Sequence, residues 1–203
     1  MTELISGDPL GTVRQVAHGV AQRVKSAISG NDHQPLPTVP KVDLAKYAGL
    51  WYELARLPLI FQPDDTLSTA EYTLKEDGSV GVHNTNYKDG SKQHDIDGTA
   101  TVAEGAEMSH ARLKVQFGGI VKLNPAPAEG NYWVIELADD YSMALVGTPD
   151  RQSLWLLARE AHDFDAHRGE AYLHRAEELG FDMDKLLVDQ WQTNKVLPYR
   201  ITA

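Results

Sequence analysis

Short stretches of alternating apolar and polar residues follow one another through residues 49–159. In the clearest, ARLKVQF, the residues Leu113, Val115 and Phe117 share one face and the residues between them are polar. Because successive side chains of a strand point to opposite faces, this alternation predicts a β-strand with one buried face. Similar stretches recur at hairpin spacing, separated by turn dipeptides such as Asp77-Gly78. The pattern predicts an all-β protein, an eight-stranded antiparallel up-and-down barrel, since closure removes exposed strand edges.

The first strand and the last three differ from the middle ones because they are apolar on both faces. Such strands need cover on both sides. Residues 163–180 offer that cover, with an apolar stripe of Tyr172, Ala176 and Leu179 at helical spacing. We therefore expect one C-terminal α-helix packed outside the barrel, with the short segment 185–191 pairing or packing beside it.

The N-terminal segment has a different pattern. Residues 12–29 carry apolar side chains at helical spacing, and all their formal charges are positive. The proline-rich stretch 31–41 predicts an extended linker. We expect two parts: residues 1–41, an N-terminal amphipathic helix with its linker, and residues 42–203, the barrel domain with C-terminal helix and tail. The helix packs its apolar face on the barrel, or it contacts an anionic membrane peripherally.

Composition excludes several classes of protein. The formal net charge of -10 over 203 residues argues against nucleic-acid binding, which needs a surplus of Lys and Arg. The absence of cysteine excludes disulfides and thiolate metal sites. The start, MTELISGDPLGTV, lacks the pattern of a secretory signal. The expected location is cytoplasmic or membrane-peripheral, or the outer membrane and periplasm if translation starts upstream.

Three stretches resemble, in order, the three sequence motifs of the lipocalin family: YAGLWYELARLP, ADDYSMALVG and LWLLAR. The similarity covers roughly residues 42–193 and is strongest to the branch of the bacterial outer-membrane lipoproteins and apolipoprotein D. The residues that carry it are Gly49, Trp51, Asp140, Tyr141 and Arg159. The resemblance implies a lipocalin calyx in which Trp51 plugs the closed base and Arg159 lies across it, a cation–π contact.

An eight-stranded barrel either holds one small ligand or fills its interior with side chains. Alternation predicts that the inward-facing side chains are Ala70, Tyr72, Leu74, Val82, Asn84, Asn86, Leu113, Val115 and Phe117. The resemblance adds Tyr132, Val134, Glu136, Trp155 and Leu157. Buried amide and hydroxyl groups are costly unless water or a ligand satisfies them. An apolar pocket with a few such groups suits an amphiphile, with an acyl chain inside and a head group at the mouth.

The resemblance implies a non-enzymatic carrier of a small hydrophobic ligand, a fatty acid or lysophospholipid, that serves membrane maintenance or stress response. Two alternatives remain. One is a haem or tetrapyrrole binder on the same barrel, and the other is an enzyme acting on a lipid, with Glu136 as its ionisable group. We expect no metal site and no catalytic residues, because the histidines do not fall at ligand spacing in a helix. An isologous homodimer is compatible with each function.

Overall fold

The strands predicted from the alternating pattern are present and run antiparallel in sequence order. The computed structural model describes residues 34–60, 62–118, 126–161 and 168–199. β1 pairs with both β2 and β8, which closes the predicted eight-stranded barrel and confirms it. The barrel strands are β1 (Gly49–Arg56), β2 (Leu67–Leu74), β3 (Val80–Lys88), β4 (Ser91–Val102), β5 (Arg112–Phe117), β6 (Tyr132–Leu137), β7 (Met143–Gly147) and β8 (Leu154–Ala158).

The remaining elements lie before and after the barrel strands. A single helical turn, α1 (Leu44–Tyr47), precedes β1, and α2 (Arg168–Glu178) follows β8. A 3-10 turn then leads into a hairpin of β9 (Leu187–Gln190) and β10 (Lys195–Pro198). β9 pairs with the end of β1, so the C-terminal segment extends the sheet outside the barrel as the sequence predicted.

Part of the segment before β1 belongs to the barrel unit. The amphipathic helix predicted for residues 12–29 lies outside the described residues. The compact unit that contains the barrel begins at Pro35. Leu36 is buried in the core, and the Val39 amide donates a hydrogen bond of 3.0 Å to the Val134 carbonyl. The end of the proline-rich stretch therefore belongs to the barrel unit.

The strands with two apolar faces separate two hydrophobic clusters. An inner cluster fills the lower barrel and includes Trp51, Val134 and Val146. An outer cluster covers the opposite face and includes Ile135, Leu145, Leu156 and the helix residues Leu173 and Ala176. The second cluster confirms that α2 packs outside the barrel, where it removes the outer faces of β6, β7 and β8 from water.

Arg159 closes one end of the barrel. Its guanidinium carbon lies 3.9 Å from the centroid of the Trp51 ring, which is fully buried. The same guanidinium donates hydrogen bonds to the carbonyls of Lys46, Tyr47, Ala48 and Leu50, at 2.8–3.0 Å. Three of these carbonyls lie at the end of α1, where a helix leaves its last acceptors without partners. One cation thus seals the base and caps the helical turn beneath it.

The close contact with Arg159 also explains the glycine at the start of β1. Gly49 has a φ of +97°, a conformation that residues with a Cβ rarely adopt. A Cβ at this position would lie 3.3 Å from Nη1 of Arg159. The second motif supports the same end: the Tyr141 hydroxyl accepts a hydrogen bond from the Asp43 amide at 3.0 Å, and Asp140 accepts one from the Ser142 amide at 3.0 Å.

We predict that Arg159→Lys lowers the free energy of unfolding by about 2 kcal/mol, because an ammonium cannot stack on Trp51 and serve the α1 carbonyls together. Urea unfolding followed by circular dichroism measures this. Arg112→Lys is the matched control, since Arg112 also lies over a tryptophan, Trp133, at 5.2 Å. It should cost less than about 0.5 kcal/mol. Equal losses in the two variants would show that Arg159 has no special part in closing the barrel.

Candidate functional site

A cavity of about 1000 Å³ occupies the barrel above the Trp51 base. Its wall reaches residues of the connections at the other end of the strands, including Leu59, Gln62, Thr148 and Ser153. The cavity therefore runs from the sealed base toward the opposite end of the barrel. Its size is typical of small-molecule sites, which are concave and mostly apolar.

Most of the side chains that the sequence predicted to face inward line this cavity. Because strands are pleated, every second side chain along β2 to β5 faces the inside of the barrel. The predicted residues that line the cavity are Ala70, Tyr72, Val82, Asn84, Asn86, Val115, Phe117, Tyr132, Trp155 and Leu157.

Three of the predicted residues lie away from the cavity because of their height along the barrel. Leu113 and Val134 belong to the inner cluster and are 4% and 1% exposed, as ordinary core residues. Leu74 is 39% exposed, at the end of β2 next to the hairpin turn. Alternation predicts which face of the sheet a side chain lies on. Whether an inward side chain lines the cavity or belongs to the core depends on its distance from the base of the barrel.

Glu136 corrects the sequence prediction most clearly. The pairing of β6 with β7 shifts between Val134 and Glu136, a β-bulge that turns the following side chain to the other face. Glu136 consequently lies outside the barrel, where Nε of Arg175 on α2 donates to its carboxylate at 3.2 Å. The predicted inward placement of Glu136 is wrong. The ionisable group that the enzyme alternative required is therefore not in the cavity.

The sequence reasoning missed several wall residues. Glu53, two positions after Trp51, and Ser68, two before Ala70, continue the same alternation and were within its reach. Ile96 and His94 lie directly across from Asn84 and Asn86 in the β3–β4 register, so correct pairing of that hairpin would have found them. Residues from the connections, Gln62, Asn131, Thr148 and Ser153, carry no periodic signal.

Asn131 holds β5 beside β6 where the strand pairing ends. The two strands pair only at Arg112–Trp133 and Leu113–Tyr132. One step further, the Asn131 side chain accepts a hydrogen bond from the Val115 amide at 2.7 Å and donates one to the Val115 carbonyl at 3.0 Å. This side-chain amide replaces a peptide group and keeps the cavity wall continuous.

Phe117 contributes to the wall through a glycine in the neighbouring strand. The pairing of β4 with β5 is regular at Gly98, which lies opposite Phe117. A Cβ on Gly98 would lie 2.7 Å from Cδ1 of Phe117. Gly98 therefore gives the Phe117 ring room to lie against the strand.

Three tyrosines form the floor of the cavity. The Tyr132 hydroxyl lies 2.8 Å from the Tyr47 hydroxyl and 3.0 Å from that of Tyr72. Burial raises the pKa of Tyr72 to about 12 and those of Tyr47 and Tyr132 well above their usual value. The three phenols are therefore neutral at physiological pH. The Trp155 ring stacks on Tyr132, with centroids 6.3 Å apart.

A buried ionic cluster lies beside the cavity at the level of Ser68. Nη1 of Arg56 contacts Glu53 at 3.2 Å and Asp189 at 3.1 Å, and all three residues are at most 4% exposed. Gln62 donates to Glu53 at 2.8 Å, and Arg56 donates to the Pro63 carbonyl at 2.9 Å. One cation between two carboxyl groups thus fixes the β1–β2 connection to the barrel wall.

Burial raises the pKa of Asp189, and the neighbouring charge of Glu53 raises it further, since two adjacent carboxylates disfavour double ionisation. Burial also raises the pKa of Glu53, against the opposing effect of Arg56. The folded cluster is therefore best satisfied when one proton is shared between the two carboxyl groups and balances the single guanidinium.

The histidines offer little metal chemistry. His83 faces outward and lies 2.8 Å from Asp97. His94 lies in the cavity wall. Across the described ranges, no group of three or more histidine, aspartate or glutamate side chains is arranged to hold a metal ion. No helix in the same part of the chain is long and apolar enough to cross a membrane.

A closed barrel, sealed at one end and hollow above, defines a class of small-ligand binding proteins, and comparisons with known proteins agree. The family model of the lipocalin-like domain matches residues 42–190. Temperature-induced lipocalin-1 of Arabidopsis thaliana is 35% identical over 156 residues, which cover 76% of this chain and 82% of that protein. Outer membrane lipoprotein Blc of Escherichia coli K12 is 36% identical over 150 residues, 73% and 79% of the two chains.

Among solved structures, insecticyanin from the tobacco hornworm Manduca sexta superposes with a TM-score of 0.54 at 19% identity. The match covers 77% of this chain and 85% of that one, and it shows the shared fold. The chain belongs to the lipocalin family, whose members bind small hydrophobic ligands.

We predict that Asp189→Asn stabilises the protein at pH 8. The wild-type carboxyl group has a folded pKa above its unfolded value, so folding takes up a proton at neutral pH and stability falls as pH rises from about 4. An amide keeps the acceptor for Arg56 and a donor for Glu53 without that cost. The gain should be about 2 kcal/mol at pH 8, several degrees in Tm, and disappear near pH 4.

Thermal unfolding at pH 4, 6 and 8 measures the difference. Asp65→Asn is the matched control, because Asp65 is exposed and its partner Lys88 lowers its pKa. Its Tm at pH 6 and 8 should be at or slightly below that of the wild type and never above it, because the substitution removes an exposed ion pair. A destabilised Asp189→Asn variant at pH 8 would mean that Asp189 is ionised in the folded protein.

Proposed function

We propose that the protein binds and carries an amphiphilic lipid, a fatty acid or a lysophospholipid, in the barrel cavity. The observation that carries this proposal is the layered wall of the cavity. Its middle is apolar and aromatic, with Val82, Ile96, Phe117, Trp155 and Leu157. An acyl chain in contact with these side chains would leave water at about 25 cal/mol for each Å² buried.

The upper wall supports a head group. Gln62, Ser68, Asn86 and His94 form a polar belt toward the end of the barrel that faces away from Trp51. The Ser68 hydroxyl donates to the Asn86 side chain at 3.1 Å, so part of this belt is already oriented. Polar groups placed at one end of an apolar cavity fix the direction in which an amphiphile enters.

The setting is also a proposal. One relative is named for induction by temperature and another as an outer membrane lipoprotein. These names support a role for this chain in membrane maintenance or stress response, with the protein at or near a membrane. The basic, amphipathic residues 12–29 would supply peripheral contact with an anionic lipid surface. A homodimer is compatible with this role.

We propose carriage rather than catalysis. Glu136 lies outside the barrel, and Oε1 of Glu53 accepts hydrogen bonds from both Arg56 and Gln62. A general acid or base must have an oxygen or nitrogen within hydrogen-bond reach of the substrate and free to exchange a proton with it. The fixed pairing of Glu53 supports a structural role in the wall.

A tetrapyrrole is the second candidate ligand, favoured by His94 in the cavity wall. A neutral imidazole is a common iron ligand in proteins. Titration with haemin distinguishes the two: a stoichiometric Soret shift that His94→Ala removes would favour haem over lipid.

We predict that Ala70→Phe weakens binding of palmitoyl lysophosphatidylcholine and of oleate at least about tenfold, because the larger ring occupies space just above the base. Isothermal titration calorimetry with delipidated protein measures both. The matched control is Leu74→Phe on the same strand, since Leu74 lies outside the cavity wall and is 39% exposed. Its affinity should equal that of the wild type. Equal affinity in Ala70→Phe, or no saturable binding by the wild type, would contradict the proposal.

A further inference from the structure

We infer that the floor of the cavity is a hydrogen-bonding site for an uncharged oxygen, a hydroxyl or carbonyl, at the buried end of the ligand. This inference rests on the proposed function and narrows its ligand class to oxygenated lipids. It starts from the three tyrosines at the floor. Tyr72 and Tyr132 line the cavity and are 6% and 8% exposed, while Tyr47 lies beneath them at 3%.

The three floor hydroxyls have more protons than they have hydrogen bonds to one another. Three hydroxyls carry three protons, but they share only two contacts, Tyr47–Tyr132 and Tyr72–Tyr132. Whichever hydroxyl donates in each contact, one proton is left over. Among the described residues, the structure gives these hydroxyls no further hydrogen-bond partner. Buried hydroxyl donors are normally paired, and an unpaired one is costly.

Charge decides which ligand group fits this donor. In the described part of the wall there is no lysine or arginine, and the ionisable groups other than the tyrosines are Glu53, His94 and Asp95. Arg159 lies below the floor, with its guanidinium on the far side of Trp51 and bonded to backbone carbonyls. A carboxylate or phosphate at the floor would be desolvated without a cation to balance it.

The tyrosines themselves show the local penalty on negative charge. Burial is the largest cause of the raised pKa of each phenol. A ligand anion at the same place would meet the same desolvation. An alcohol or carbonyl oxygen accepts the spare proton without that cost, and an alcohol can also donate to a terminal phenol oxygen.

The opposite end of the ligand then belongs at the polar belt. Gln62, Ser68 and Asn86 lie one or more strand steps nearer the mouth than Ala70 and Val82, which line the apolar middle. The cavity thus has polar groups at both ends of a section that is apolar apart from Asn84, which lies opposite Ala70. A chain with oxygen at both ends fits this wall better than a chain that ends in a methyl group.

The test compares the wild type with a variant that lacks the floor hydroxyls, using pairs of ligands that differ by one hydroxyl group. For chain lengths of ten to eighteen carbons, calorimetry gives the Kd of each straight fatty acid and of its ω-hydroxy counterpart. The ratio of the two constants is measured in the wild type and in the double variant Tyr72→Phe/Tyr132→Phe, which removes both hydroxyls that line the cavity, because either single variant still leaves a hydroxyl proton over. At the length that spans the cavity, the double variant should shift the ratio against the ω-hydroxy acid by about tenfold. Affinity for the straight acid should stay the same.

Tyr87→Phe is the matched control, because Tyr87 is not among the wall residues and its ring lies 5.9 Å from that of Trp191. It should leave every ratio unchanged. If the double variant does not fold by circular dichroism, the wild type carries the test, because at the spanning length it should bind the ω-hydroxy acid more tightly than the straight acid. Equal binding of the two acids by the wild type at every length, or a ratio that is the same in the wild type and the double variant, would overturn the inference alone. Failure of the wild type to bind any of the acids would overturn the proposed function as well.

Discussion

The position of one guanidinium determines how this barrel is built. Arg159 stacks on Trp51 at 3.9 Å and serves carbonyls at the end of α1, so the base, the first strand and the last strand meet at one residue. Since β1 and β8 also pair, this contact lies where the sheet closes on itself. A barrel sealed at this end leaves its interior volume at the other, and the cavity follows from that asymmetry.

The inner and outer faces of the same strands then have separate tasks. On β6 to β8, the outer faces are covered by α2, while the inner faces form part of the lower core and the cavity wall. The helix makes it unnecessary for the interior to supply the whole hydrophobic core. Because part of the hydrophobic core lies outside the barrel, the interior can stay hollow while the protein remains stable.

The sequence predicted the barrel, the outer helix and the wall residues in the middle of β2, β3 and β5, because alternation and turn dipeptides are local signals. Bulges limited it. The register shift near Glu136 moved that carboxylate to the outside, and another between Glu53 and Ala55 accompanies the buried cluster with Asp189. A bulge depends on pairing between strands distant in sequence, so periodicity within one strand cannot show it. Wall residues in connections, such as Gln62, were beyond prediction because connections carry no periodic signal.

We propose that the barrel interior is the lipid site, and a crystal structure with a lysophospholipid brominated in its acyl chain would test this directly. An anomalous bromine peak should appear inside the barrel, between Val82, Phe117 and Trp155. A second depression of about 710 Å³ lies on the outer face of β2 to β5, lined by residues that include His83 and Asp97. A bromine peak there, with the interior empty of lipid, would contradict an interior lipid site.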